Sequence, residues 1–150
     1  MALSVALHAL AAIIWVGGML FALLCLRPAA GALAPPQRLP LMADALRRFF
    51  RWVWAAVAVL AAPGAGLFAM GGGFEAWGVH VTIMLVLGIV MMLLFGHLYF
   101  APNRRLQRAV AAGDWPTAAA NLGQIRWIVT VNLVLGLIVS AIGASGRFWP

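Results

Sequence analysis

Residues 4–26 read SVALHALAAIIWVGGMLFALLCL, and this stretch decides the fold class. Apart from Ser4 and His8, it consists of apolar and small residues. A helix of about 20 such residues is long enough to cross the hydrocarbon core of a bilayer. The stretch exceeds the roughly 7–15 apolar residues of a signal-peptide core, so we interpret it as a retained membrane span.

Three further apolar runs, at about 50–70, 78–101 and 125–143, have the length of a membrane-spanning helix. The chain as a whole is 65% hydrophobic and 9% charged, a composition that a water-soluble domain of this size could not bury. The runs are too long for the strands of a membrane barrel. The sequence therefore predicts an all-α integral membrane protein, with residues 1–150 forming one bundle of four transmembrane helices.

The basic residues are distributed unequally between the two sides of the predicted bundle. All ten are arginines, against three acidic residues. Nine of them flank the first and third loops: Arg27, Arg38, Arg47, Arg48, Arg51, Arg104, Arg105, Arg108 and Arg126. Because arginine-rich loops stay in the cytoplasm, both termini are expected on the non-cytoplasmic side. This clustering beside apolar spans favours contact with lipid headgroups, and not with nucleic acid.

Two local signals predict helices in the connecting segments. After Pro40 the first loop has the pattern of a short amphipathic helix that runs into the second span. In the third loop, which begins at Pro102, the stretch GDWP indicates a helix start with Asp114 as its N-cap.

Two histidines are expected at similar depth near the outer surface. His8 lies about four residues into the first span and His80 two residues into the third, and these spans run in the same direction. Helical spacing places further residues on the faces of the two histidines: Trp15, Gly18 and Met19 with His8, and Met84, Gly88 and Met91 with His80. An ionisable residue inside a span is a functional candidate by default.

The fourth span carries a stripe of small and polar residues, namely Asn132, Gly136, Ser140 and Gly143. Asn132 would lie deep in the membrane, where its amide needs a partner. The stripe is therefore expected to face the interior of the bundle.

Three interpretations of these residues remain open. In the first, His8 and His80 are the axial ligands of one haem b, because small residues beside a histidine leave room for the macrocycle. Trp15, Gly18, Met84, Gly88 and Asn132 would then line the pocket, and Arg147 would face the propionates. In the second, His80 and Met84 bind copper through an imidazole and a thioether, with Met19 extending the set of soft ligands. In the third, the histidines have only structural roles.

Each interpretation implies different partners. A single haem near the outer face would suit one-electron exchange with a quinone or a periplasmic protein, and whether that makes the chain an enzyme stays undecided. A structural role would suit a non-catalytic subunit of a larger membrane complex or a homo-oligomer, held by stripes of small residues. With Asp44, Glu75 and Asp114 as the three acidic residues, acid–base catalysis has few groups to use.

The stretches LHALAAIIWVGGMLFALLCLRP, GVHVTIMLVLG and YFAPNRRLQRAVAAGDWPTAAANLGQIRWIVTVNLVLGLI resemble small bacterial membrane proteins of the copper-resistance protein D (CopD) group. This resemblance implies a location in the bacterial inner membrane and a role in copper handling. The first span also resembles that of HemJ protoporphyrinogen oxidases, in which a histidine matching His8 is functional. Those enzymes rely on a membrane lysine as well, and this chain contains none.

Overall fold

The computed structural model describes the backbone of residues 2–69 and 78–146, and the side chains of residues 3–62 and 78–146. No strand occurs in these ranges, so the predicted all-α class is confirmed for the described part of the chain. Six α-helices follow one another: α1 (Ala2–Phe21), α2 (Arg27–Ala30), α3 (Pro35–Ala69), α4 (Val79–Leu98), α5 (Arg104–Ala111) and α6 (Trp115–Ser145).

Within the described residues, three helical segments are long and apolar enough to cross a membrane: Leu3–Ala30, Val79–Ala111 and Trp115–Ser145. They contain the first, third and fourth predicted spans. Their outward surfaces are apolar, as the exposed side chains of Leu3, Leu93 and Trp127 show. Apolar surface of this extent is stable only against lipid, so the chain is a multi-pass membrane protein. The second predicted span falls on α3 and ends at residue 70, outside the described residues.

Two π-helical turns, Ala22–Leu26 and Tyr99–Asn103, interrupt the long helical segments. Each is associated with a proline, Pro28 just beyond the first and Pro102 inside the second. A proline ring collides with the carbonyl four residues earlier and supplies no N–H, so a wider turn relieves the conflict. The chain thus stays helical from Ala2 to Ala30 and from Val79 to Ala111.

The two arginine-rich connections are more helical than the sequence suggested. The helix expected after Pro40 begins at Pro35, because a proline in the first turn loses no hydrogen bond that the helix would otherwise make. The helical segment that contains the third predicted span does not stop near residue 101 but continues to Ala111 through the π turn. The connection to α6 is therefore short.

The core lies where the helices meet in pairs. α1 packs mainly on α3, while α4 packs mainly on α6. Between these pairs the side chains of Trp15, Phe50 and Trp54 surround Phe95, with ring centroids 6.0, 5.6 and 5.2 Å from it. These edge-on aromatic contacts join α1, α3 and α4.

A tight turn at Gly113 and Asp114 reverses the chain before α6. Gly113 has a φ of +69°, a backbone conformation that residues with a side chain rarely adopt. The Asp114 carboxylate accepts a hydrogen bond from the backbone N–H of Thr117 at 3.1 Å, which confirms the predicted N-cap. These bonds from Thr117 hold the pKa of Asp114 below its ordinary value of 3.8.

We expect the stabilising effect of this cap to depend on pH. Because the folded-state pKa of Asp114 is lowered, its contribution is present above pH 3.8 and is lost as the pH falls through the folded-state pKa. The melting temperature of the wild type in detergent should exceed that of Asp114→Ala at pH 7, and this difference should shrink in acid. Asp114→Asn is the control, since it retains the cap but does not titrate. If the difference in melting temperature between Asp114→Asn and Asp114→Ala shrank equally in acid, this would contradict the assignment.

Candidate functional site

The imidazole of His80 lies in the first turn of α4 between two glycines. A Cβ atom at position 146, at the end of α6, would lie 2.7 Å from Cδ2 and 3.1 Å from Nε2 of His80. A Cβ at position 78 would lie 2.8 Å from Nδ1. Such distances are too short for real contacts, so Gly78 and Gly146 allow the backbone to approach the ring.

One nitrogen of this ring lacks a hydrogen-bond partner among the described residues. Nδ1 of His80 is buried and makes no hydrogen bond to the described residues. Buried polar atoms nearly always have a partner, because leaving one unpaired costs free energy. An unpaired imidazole nitrogen in a membrane bundle is a candidate ligand for a metal ion.

Met84 follows His80 by one helical turn and, like His80, lies against a glycine near the C-terminal end of α6. A Cβ at position 143 would lie 2.9 Å from Cε and 3.5 Å from Sδ of Met84. An imidazole and a thioether therefore share one face of α4, and glycines of α6 cover both.

The same contact continues two turns deeper at Met91. Its Cε would lie 3.2 Å from a Cβ at position 136, and its carbonyl oxygen accepts a hydrogen bond from Nδ2 of Asn132 at 3.2 Å. The Oδ1 atom of Asn132 is buried and accepts no hydrogen bond from the part of the chain that the structure describes. We call the line formed by His80, Met84, Met91, Gly136, Gly143 and Gly146 the α4–α6 seam.

The predicted stripes of the third and fourth spans thus meet along the seam. Asn132 is 2% exposed and bonded to α4, which confirms that it faces the bundle. The sequence did not indicate Gly78 and Gly146 as neighbours of His80. The sequence contains a glycine just before α4 and another just after α6, but it does not show which residue either glycine contacts.

The candidate residues of α1 belong to a different contact. Trp15 and Met19 are buried in the core, and a Cβ at Gly18 would lie 2.1 Å from the ring of Phe49 on α3. Gly18 therefore serves the packing of α1 on α3. His8 is half-buried near the start of α1. The predicted pairing of His8 with His80 on one haem iron stays a prediction.

Two other predicted pocket residues add nothing to the seam. A Cβ at Gly88 would meet no atom within 4 Å, so this glycine is not needed for a close approach. Arg147, which was expected to face the haem propionates, lies outside the described residues. Among the residues that the structure describes, no three His, Cys, Asp or Glu side chains form a group suited to a metal ion.

The α6 side of His80 has no space for a haem, whereas a haem shared by His8 and His80 would lie between α1 and α4 and stays a prediction. The backbone of α6 lies directly against His80 and Met84, where even a methyl group would collide. A macrocycle needs an open slot beside its axial histidine, and the α6 side of His80 offers none. A single metal ion held by an imidazole and thioethers requires much less space.

Comparison with known protein families decides the membership of the chain. The family model described as "Copper resistance protein D", or CopD, matches residues 43–145, which is more than half of the chain. The chain belongs to the CopD family. The match covers α4, α5, α6 and most of α3, and it therefore contains every residue of the α4–α6 seam except Gly146. It does not include the first span, and no comparison supports the resemblance of that span to HemJ. Searches of curated proteins and of solved structures found no match.

Proposed function

We propose that this CopD-family protein transports copper and that it binds Cu(I) at His80 and Met84, at one end of the α4–α6 seam. The observation that supports this function best is the buried Nδ1 of His80, which makes no hydrogen bond to the described residues and lies one turn from Met84. Membership of a family named for copper resistance supports the choice of metal.

The ligand chemistry of the seam suits Cu(I) in particular. Thioether and imidazole groups are neutral and soft, and Cu(I) is the soft ion among the common biological metals. None of the described residues that form the seam carries a carboxylate, the ligand that harder ions prefer. Copper is here the cargo, and Met91 offers a further thioether about 10 Å along the helix from Met84, at 1.5 Å per residue.

The charge distribution supports an orientation for this cargo. We infer four spans, with α3 providing the second, and both termini on the outer side of the bacterial inner membrane. In this orientation His80 lies near the periplasmic surface and Met91 lies deeper in the bilayer. A copper ion would therefore meet the histidine first on its way in from the periplasm.

Substitution of Met84 by leucine tests the thioether as a ligand. Met84→Leu keeps the volume and removes the sulfur, so we expect Cu(I) affinity to fall roughly 10-fold or more, as for other changes at metal sites. Affinity would be measured in detergent under reducing conditions by competition with a chromogenic Cu(I) chelator. Met42→Leu is the matched control, because Met42 is buried on α3, outside the seam. Equal affinities of the two variants would exclude Met84 as a ligand.

A further inference from the structure

A cavity of about 410 Å³ lies at the arginine-rich end of the molecule, between the end of the first helical segment, the start of α3 and the first half of α6. This volume is within the range of small-molecule sites. Buried side chains form much of its wall, among them Leu39, Met42, Leu46, Ile125 and Val129. The cavity is therefore mainly apolar.

Three arginines from three separate parts of the chain line the same cavity: Arg27 on α2, Arg38 on α3 and Arg126 on α6. No salt bridge in the described residues joins any of them to a carboxylate. Asp44 is paired with Arg47 and Arg48, and these bonds lower its pKa. A site with three like charges and no internal anion attracts an anion from outside.

The chemistry of the cavity identifies the class of anion. A guanidinium group forms paired hydrogen bonds with phosphate oxygens, and three of them match a phosphate better than a carboxylate. The apolar wall requires that the ligand also carries hydrocarbon. Two of the segments that line the cavity, Leu3–Ala30 and Trp115–Ser145, are long and apolar enough to cross a membrane, so we infer that hydrocarbon enters the cavity from the bilayer.

We propose that this cavity binds an anionic phospholipid, with the phosphate held by Arg27, Arg38 and Arg126 and the start of an acyl chain lying against the apolar wall. Basic pockets between spans at the cytoplasmic face are known to suit such headgroups. The π turn Ala22–Leu26 contributes by placing Ala22 and Leu23 at the cavity, next to Arg27. This inference is independent of copper binding.

Native mass spectrometry of the detergent-purified protein tests the proposal. Phosphatidylglycerol and phosphatidylcholine would be added in equal amounts, and the lipid retained by each variant measured. The variant Arg27→Gln/Arg38→Gln/Arg126→Gln should retain about 10-fold less phosphatidylglycerol than the wild type. Its charge-matched control alters three exposed arginines that do not line the cavity: Arg51→Gln/Arg104→Gln/Arg108→Gln.

A second variant leaves every arginine in place. Gly123 lines the cavity, and a Cβ there would meet no atom within 4 Å, so Gly123→Leu should fill the cavity without disturbing the fold. Gly96→Leu is its control, since position 96 is equally open and does not line the cavity. We expect Gly123→Leu to lose phosphatidylglycerol and Gly96→Leu to retain it.

Three results would overturn the proposal. Equal losses in the two arginine variants would show a general charge effect, and equal retention of both lipids by the wild type would show no headgroup preference. Displacement of the lipid by millimolar inorganic phosphate alone would identify a free anion as the ligand.

Discussion

Replacing His80 by alanine should reduce Cu(I) affinity by at least about 100-fold. Substitutions of residues that only support a metal ligand lower metal affinity by about 10- to 100-fold, and loss of the ligand itself should lower it at least as much. The variant retains the rest of the α4–α6 seam but offers the metal only thioethers. The measurement is chelator competition in detergent under reducing conditions, with size-exclusion chromatography to confirm that the variant is folded.

Two histidine variants make this result specific. His97→Ala is the control, because His97 is exposed at the opposite end of α4, and it should bind Cu(I) as the wild type does. His8→Ala separates copper from haem. If His8 and His80 shared a haem iron, His8→Ala and His80→Ala would both lose the haem absorption spectrum. If copper binds on α4, His80→Ala should lose most of the Cu(I) affinity and His8→Ala should lose little. Undiminished Cu(I) binding by folded His80→Ala would contradict the assignment.

Gly18→Ala should destabilise the bundle by about 1–3 kcal/mol, the usual cost of overpacking. The added methyl group would lie 2.1 Å from a ring carbon of Phe49, and the ring has to move for α1 to remain on α3. Thermal unfolding in detergent, followed by circular dichroism at 222 nm, measures the effect.

Gly17 provides the control for this substitution from the adjacent position. A Cβ there would meet nothing within 4 Å, so Gly17→Ala should be neutral or slightly stabilising, since alanine favours a helix over glycine by about 1 kcal/mol. If Gly17→Ala and Gly18→Ala melted at the same temperature, the contact between α1 and α3 would differ from the one described.

The spans could be predicted from the sequence because a bilayer selects long apolar helices, and this selection needs no knowledge of tertiary contacts. The burial of Asn132 was predictable for a related reason, since an amide in hydrocarbon requires a partner. The helix start at Pro35 was not recognised, because several prolines close together resemble a loop although a first helical turn accepts them.

The contacts of the candidate site were harder to predict. His80 and Gly146 are far apart in the sequence, and their contact depends on how α4 and α6 align, which neither stripe determines alone. The haem hypothesis followed from equal depth of His8 and His80, but depth does not say which helices are neighbours. The cavity could not be predicted for the same reason. Arg27, Arg38 and Arg126 indicate the orientation of the chain in the membrane, but the sequence does not show that they line one cavity.

X-ray absorption at the copper edge tests copper binding at the seam most directly. Protein loaded with one equivalent of Cu(I) in detergent should show both nitrogen and sulfur scatterers, and Met84→Leu should lose sulfur while Met42→Leu does not. A copper shell of nitrogen and oxygen alone, identical in all three proteins, would contradict the account. Failure of the wild type to retain copper, together with a Soret band after expression with haem, would replace it with the haem interpretation.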